Sequence, residues 1–306
     1  MGETRIMHYV PQSYLRYFGQ ERSGVHFIHA LPKKGGAIFT ANVKNICGER
    51  DLYTLPGATE EERLFLENMY NDLYEVGYDK IYELLTDKTK ITLTAKERYS
   101  IIGFVVSMFF RNVAWHTFYN NALDQMLEHV YDLTKQNGMD TFYFGDEEIS
   151  IAGKTLEELQ KENKKQDKPM LALVQAQNIF QLIRLRLIND VVTITKARPG
   201  FEFITSDNPV AFKGANIRQR PIPFDPSNTL MIPIDKDHLL QLQPWVEKEL
   251  DWNLLGRLHD EPIPGMYTSI NNNFQSVQCD KFLLGTETGL KAFQAKPEGI
   301  FPRGAK

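Results

Sequence analysis

The chain has 306 residues, 42% of them hydrophobic and 24% charged, which is the composition of an ordinary globular protein and excludes collagenous, low-complexity and disordered classes. Thirty-five Lys and Arg against 39 Asp and Glu leave a formal charge of −4, so no broad cationic field steers the molecule towards nucleic acid. Two cysteines, Cys47 and Cys279, stand far apart without a CxxC arrangement, which supports neither a disulfide framework nor a cysteine-rich zinc site.

These features point to a reducing, cytoplasmic compartment. The longest apolar run, Ile101 to Phe110, is too short for a membrane span, which needs about 20 residues. Neither a signal-peptide layout nor a myristoylation pattern opens the chain, since Ile6 stands where Ser or Thr is required. No membrane association is expected.

From the N-terminus, Pro11 to Phe18 reads as a short amphipathic segment, and Val25 to Ile28 with Ala37 to Thr40 as an elaborated hairpin around Pro32, Gly35 and Gly36. Thr59 and Glu62 form a capping box that opens a long helical pattern to about Leu85. Thr94 and Glu97 repeat the device, opening a helix apolar nearly all round and therefore central and buried. Helical periodicity then runs to Asn137-Gly138, and Thr141 to Phe144 reads as a short strand.

The polar run Glu157 to Lys168 reads as a solvated helix face or flexible connection rather than a nucleic-acid contact, and Pro169 opens a helix reaching Ile188. After Asn189 the pattern turns to β-branched residues. VVTIT and Phe201 to Thr205 read as a hairpin turning at Arg198-Pro199-Gly200, with further strands at Thr229 to Ile234 and Leu239 to Leu242. The expectation is one α+β domain with a predominantly helical core and a small mixed or antiparallel β-sheet. It has a β-containing segment 1–55, a helical middle 59–188, a β-containing part 190–285 and a tail 286–306.

Familiar signatures for phosphate loops, dinucleotide binding, zinc proteases, EF-hands and hydrolase elbows are missing, and no cofactor is named. Ser206-Asp207-Asn208 spells an element of penicillin-recognising enzymes, but no SxxK nucleophile accompanies it. Arg111 follows directly on the apolar run, so it should enter the interior and need an anionic partner or ligand. Glu67, which shares a helix face with Tyr70, Tyr74 and Tyr78, and Asp207 are the two candidate partners. A structural ion pair and a ligand contact are both open readings of Arg111.

Thr205 to Val210, TSDNPV, concentrates polar residues at a strand end before a proline, where a turn and a site are alternative readings. His8 reads as a general acid or base or as a hydrogen-bonded core histidine. Arg111 to His116 has the Arg-x₄-His spacing of helical ribonucleases, although on one helix the two side chains lie about 140° apart.

His8-Tyr9-Val10-Pro11-Gln12-Ser13-Tyr14-Leu15 resembles the start of the domain of unknown function 4238 family. Asn45, Glu49-Arg50-Asp51-Leu52-Tyr53, Arg111 and Phe203-Ile204-Thr205-Ser206-Asp207-Asn208-Pro209-Val210 follow in the family's order, over about residues 6 to 285. The resemblance implies a soluble, mainly bacterial, intracellular protein without an established reaction to transfer, and a basic residue where this chain has His116.

The motifs and the physical reading select overlapping residues around one interior polar cleft. His8, Glu67, Arg111 and Asp207 are the expected catalytic residues, and Gln12, Ser206 and Asn208 the substrate-binding ones. No metal is expected, because His8, Glu67 and Asp207 lack local ligand spacing.

The leading expectation is a hydrolase or transferase acting on a phosphorylated or anionic small molecule or a nucleic-acid end. A ligand-binding or regulatory module is the alternative, with Gln177, Gln181, Arg184, Trp245 and Trp252 as contact surfaces; the ribonuclease is a third.

Overall fold

The computed structural model describes residues 6–55, 59–71, 77–144, 147–166, 168–214, 224–245, 253–259 and 265–295. The N-terminal segment comprises β1 (Ile6–His8), α1 (Gln12–Leu15) with a 3₁₀ turn over Arg16–Phe18, β2 (Gln20–Arg22), β3 (Val25–Pro32), β4 (Phe39–Asn42) and β5 (Gly48–Arg50). Pro11 sets the chain direction into α1, its ring holding φ at −58°. Ser23 and Gly24 both take positive φ, the backbone a two-residue hairpin needs, and join β2 to β3 with Arg22 opposite Val25. β4 pairs with β3, as the hairpin pattern predicts, and β1 pairs with β5 so that His8 faces Gly48.

The helical stretch expected from Thr59 to Leu85 breaks at Leu64, between α2 (Glu60–Arg63) and α3 (Phe65–Tyr70); α4 (Tyr78–Thr86) carries its last part, and Tyr74 lies outside the described residues. The Thr59 capping box is present, but the Arg63 carbonyl accepts from Leu55 N at 3.0 Å and Leu64 leaves the helical region at φ −101°, ψ 9°. A tertiary hydrogen bond thus ends the helix that the apolar spacing would extend.

The second capping box opens α5 (Ala95–Phe110), whose residues from Ile101 to Phe110 are all buried. Arg111 and Asn112 form a corner, and Asn112 caps α6 (Val113–Gln136) by accepting from Trp115 N at 2.8 Å. The hairpin β6 (Thr141–Phe144) and β7 (Glu147–Ser150) follows, then α7 (Leu156–Gln166) and α8 (Lys168–Asn189), the latter packed on α5.

The remaining elements are β8 (Asp190–Lys196), β9 (Thr205–Ser206), β10 (Ala211–Lys213), β11 (Thr229–Pro233), β12 (His238–Pro244), β13 (Leu255–His259), α9 (Met266–Gln278), β14 (Phe282–Gly285) and α10 (Glu287–Gln294). They complete two sheets. One runs β10-β11-β12-β8-β13, with only the β8–β13 pairing parallel; the other runs β2-β3-β14-β9, with β4 also on β3. The fold is α+β.

The hairpin expected from VVTIT to Thr205 does not form. A turn exists, with Phe201 N donating to Arg198 O at 3.0 Å, but both edges of β8 are occupied by β12 and β13. Residues 201–204 therefore hydrogen-bond elsewhere, Phe203 N to Lys236 O and Ile204 N to the Asn272 side chain, and Thr205–Ser206 joins β14.

One hydrophobic cluster carries Tyr14 and Phe18 from the N-terminal segment, Tyr78, Phe104 and Ile183 from the helices, and Val192, Ile232 and Leu240 from the first sheet. Tyr14 ties the layers together, its hydroxyl lying 2.7 Å from Pro233 O and 2.6 Å from Thr205 Oγ1. Among the described residues no helix is long and apolar enough to cross a membrane.

Candidate functional site

Arg111 is 2% exposed at the corner between α5 and α6. Its Nη2 donates to the His8 carbonyl at 2.6 Å, and its guanidinium carbon lies 4.9 Å from the Tyr70 ring centre and 5.8 Å from that of Tyr53. A guanidinium stacked on aromatic faces and donating to a carbonyl keeps its charge in a dry setting. Tyr53 donates from its hydroxyl to the Arg111 carbonyl. Gln175 extends the contact by donating to Tyr70 Oη at 2.6 Å and Phe110 O at 2.7 Å.

His8 turns its ring the other way. Its Nε2 donates to Lys44 O at 3.1 Å and its Nδ1 lies 3.4 Å from Gln12 Nε2, contacts that suit the tautomer with its proton on Nε2. Gln12 borders a cavity of about 220 Å³ between α1 and the β2–β3 hairpin. Ser13, Arg16, His26, Asn42 and Lys44 line it too, and no carboxylate belongs to the lining among the described residues. The Ser13 hydroxyl oxygen is buried without a hydrogen-bond partner among the described residues. Outside the lining, Arg16 pairs with Asp79, and His26 Nε2 lies 3.9 Å from Glu21.

Asp207 is 1% exposed and turned towards the α9–β14 connection, where its carboxylate accepts from the amides of Asp280, Lys281 and Phe282 at 2.8, 2.6 and 3.1 Å. Burial nevertheless holds its carboxyl above the usual Asp range, against the pull of those amides. Ser206 Oγ donates to Gln275 Oε1 at 2.7 Å and lies 2.8 Å from Asn208 O. Asn208 Oδ1 accepts from Asn112 Nδ2 at 2.9 Å, and Asn208 Nδ2 donates to Gln278 O at 3.1 Å.

Of the residues selected from sequence, His8, Gln12 and Arg111 are therefore in direct succession, and Asn112 links their corner to Asn208 and Ser206. The Asp207 carboxylate is taken up by the amides of residues 280–282 instead. Glu67 is half-buried on α3, one turn before Tyr70. His116 lies on α6, but its side chain is outside the described residues, as is Trp252. Gln177, Gln181 and Arg184 form an exposed stripe on α8, whereas Trp245 is half-buried.

Among the described residues no group of three or more His, Cys, Asp or Glu is placed to hold a metal ion. Burial, with Asp207 next, pushes the Cys279 thiol up to about 12 and raises that of Cys47 as well, so neither is a thiolate near neutral pH. The sequence reading misses Arg16, His26, Lys44 and Ser13. Only Arg16 carries a signal, since it stands four residues after Gln12 on the same short helical segment.

Neither a curated protein nor a solved structure matches the chain. One family model does, over residues 7–281, from Met7 in β1 to Lys281 at the Asp207 turn. With nine-tenths of its length so matched, the chain belongs to the family described as protein of unknown function DUF4238.

Proposed function

We propose that the chain binds a small phosphate-bearing molecule in the cleft between α1 and the β2–β3 hairpin. The observation that carries this reading is a cavity of about 220 Å³ with Arg16, Lys44 and His26 in its lining, no carboxylate among the described lining residues, and the Ser13 hydroxyl, unpartnered among the described residues, beside Gln12. A phosphate monoester brings two charges and three acceptor oxygens, which suit the guanidinium of Arg16, the ammonium of Lys44, the hydroxyl of Ser13 and the amide of Gln12, four residues that line one hollow.

The enzymatic form of this reading, a hydrolase or transferase acting on such a molecule or on a nucleic-acid end, gives proton transfer to His8, whose Nδ1 stands beside Gln12 at the cleft edge. Arg111, Asp207 and Asn208 are then positioning residues. Arg111 fixes the strand that carries His8, and Asp207 and Asn208 fix the α9–β14 connection.

Calorimetric titration with inorganic phosphate and phenyl phosphate tests the reading. Binding that weakens about tenfold or more in Arg16→Ala/Lys44→Ala is expected; no binding at millimolar ligand, or binding unchanged in the double variant, overturns it. Phosphate release from phenyl phosphate, lost in His8→Gln with affinity retained, separates enzyme from binder.

A further inference from the structure

We propose a second, independent ligand site, for a monocarboxylate with an apolar tail, in the cavity between the end of β3, β14 and α10. Its volume is about 420 Å³, within the range of about 300–1,000 Å³ typical of small-molecule sites. Leu31, Leu283 and Phe293 line it and belong to a small hydrophobic cluster separate from the main core. Apolar surface left facing a hollow of this size is covered favourably by a hydrocarbon tail.

The polar groups select the head. Lys33 stands in the lining and is exposed; its ammonium donates to Cys279 O and forms no ion pair with a carboxylate among the described residues. Two of its three donors thus remain for a ligand. Lys33 is the single charged residue among the described lining residues, which matches a monoanion and leaves a dianionic phosphate half neutralised. A cationic head would be repelled. Gln294 walls the other side by donating to Gly36 O at 2.9 Å, which pins α10 to the connection between β3 and β4.

Among the described residues this cavity shares no lining residue with the phosphate cleft. The two lie towards opposite ends of β3, His26 in one and Pro32 in the other, roughly 20 Å apart at about 3.3 Å per strand residue. Failure of one site therefore leaves the other standing.

The test is calorimetric titration of the full chain with octanoate, octylammonium and acetate. Octanoate is expected to bind with Kd at or below about 1 mM, acetate and octylammonium much more weakly. Lys33→Ala weakens octanoate binding about three- to fivefold and Lys33→Arg restores it. Ser276→Phe, whose ring enters the cavity, abolishes it. As a readout free of substitutions, saturating octanoate raises the melting temperature of the full chain, whereas acetate at the same concentration does not. Absence of octanoate binding at 10 mM or more, equal binding of octylammonium, or a melting temperature unmoved by saturating octanoate overturns the proposal.

Discussion

The His8 carbonyl and the His8 imidazole hold different partners: the carbonyl accepts from Arg111 Nη2 at 2.6 Å, and the ring Nε2 donates to Lys44 O at 3.1 Å. Core and cleft are thereby coupled through a single residue. Changes at the buried arginine should consequently be felt at the surface.

Arg111→Lys is the direct test of that coupling. An ammonium retains the charge but loses the planar fork and the stacking on Tyr70 and Tyr53. Urea unfolding should show a loss of about 2–4 kcal/mol, with weaker phosphate binding by the folded fraction. A wild-type midpoint would show that the guanidinium geometry is immaterial.

Asp79 competes for Arg16, which it contacts together with Tyr17. Both ion-pair partners are at least a third exposed, so the pair contributes little to stability, up to about 1 kcal/mol. Asp79→Asn should tighten phosphate binding by up to about fivefold while leaving the melting temperature nearly unchanged. Calorimetry showing weaker binding would mean that Asp79 orients Arg16 for the ligand instead.

Gly19 is a steric requirement of the cleft. It follows the turn that carries Arg16, and any Cβ there would collide with the backbone carbonyl of Phe27 on β3. Gly19→Ala should push the β2–β3 hairpin away from α1 and cost about 1–3 kcal/mol in chemical denaturation. Phosphate affinity should fall with it, because Gly24, Val25 and His26 leave their places.

Asp190 predicts a pH dependence. It is fully buried with Arg186, and burial raises its carboxyl to about 6 although Arg186, Asn189 and Arg98 pull it down. The folded chain therefore holds this proton more tightly than the unfolded chain. Its contribution to stability is complete below the ordinary carboxylate range and is lost as the pH rises through about 6. Between pH 4 and 7 the difference amounts to roughly 2–3 kcal/mol. Comparing wild type with Asp190→Asn isolates it, and identical pH profiles of unfolding would refute the assignment.

Asp207→Asn replaces an acceptor by a donor facing the amides of residues 280–282. A loss of about 2–4 kcal/mol is expected by thermal or urea unfolding. A neutral result would mean that these amides find water or another acceptor.

Local rules that act along the chain were legible in the sequence. Both threonine capping boxes are present, α5 is buried along its apolar run, and the Asn137-Gly138 stop ends α6, because each depends on residues within a few positions. Long-range competition was not legible. Leu55 taking the Arg63 carbonyl, and β12 with β13 taking both edges of β8, are choices between distant partners with similar local propensities. The candidate site divides similarly. Arg111 announced itself by placing charge after an apolar run, whereas Lys44 and His26 are ordinary surface residues until the hairpin brings them opposite Gln12.

The family match stops at Lys281, one residue short of β14, which sits between β3 and β9 in the second sheet. Trimming an expression clone to that boundary would excise an interior strand and remove the Phe282 amide from the Asp207 carboxylate. The smallest piece of this polypeptide worth producing therefore continues past α10 to at least Ala295, and shorter versions should be recovered as aggregates through the newly bared edges of β3 and β9.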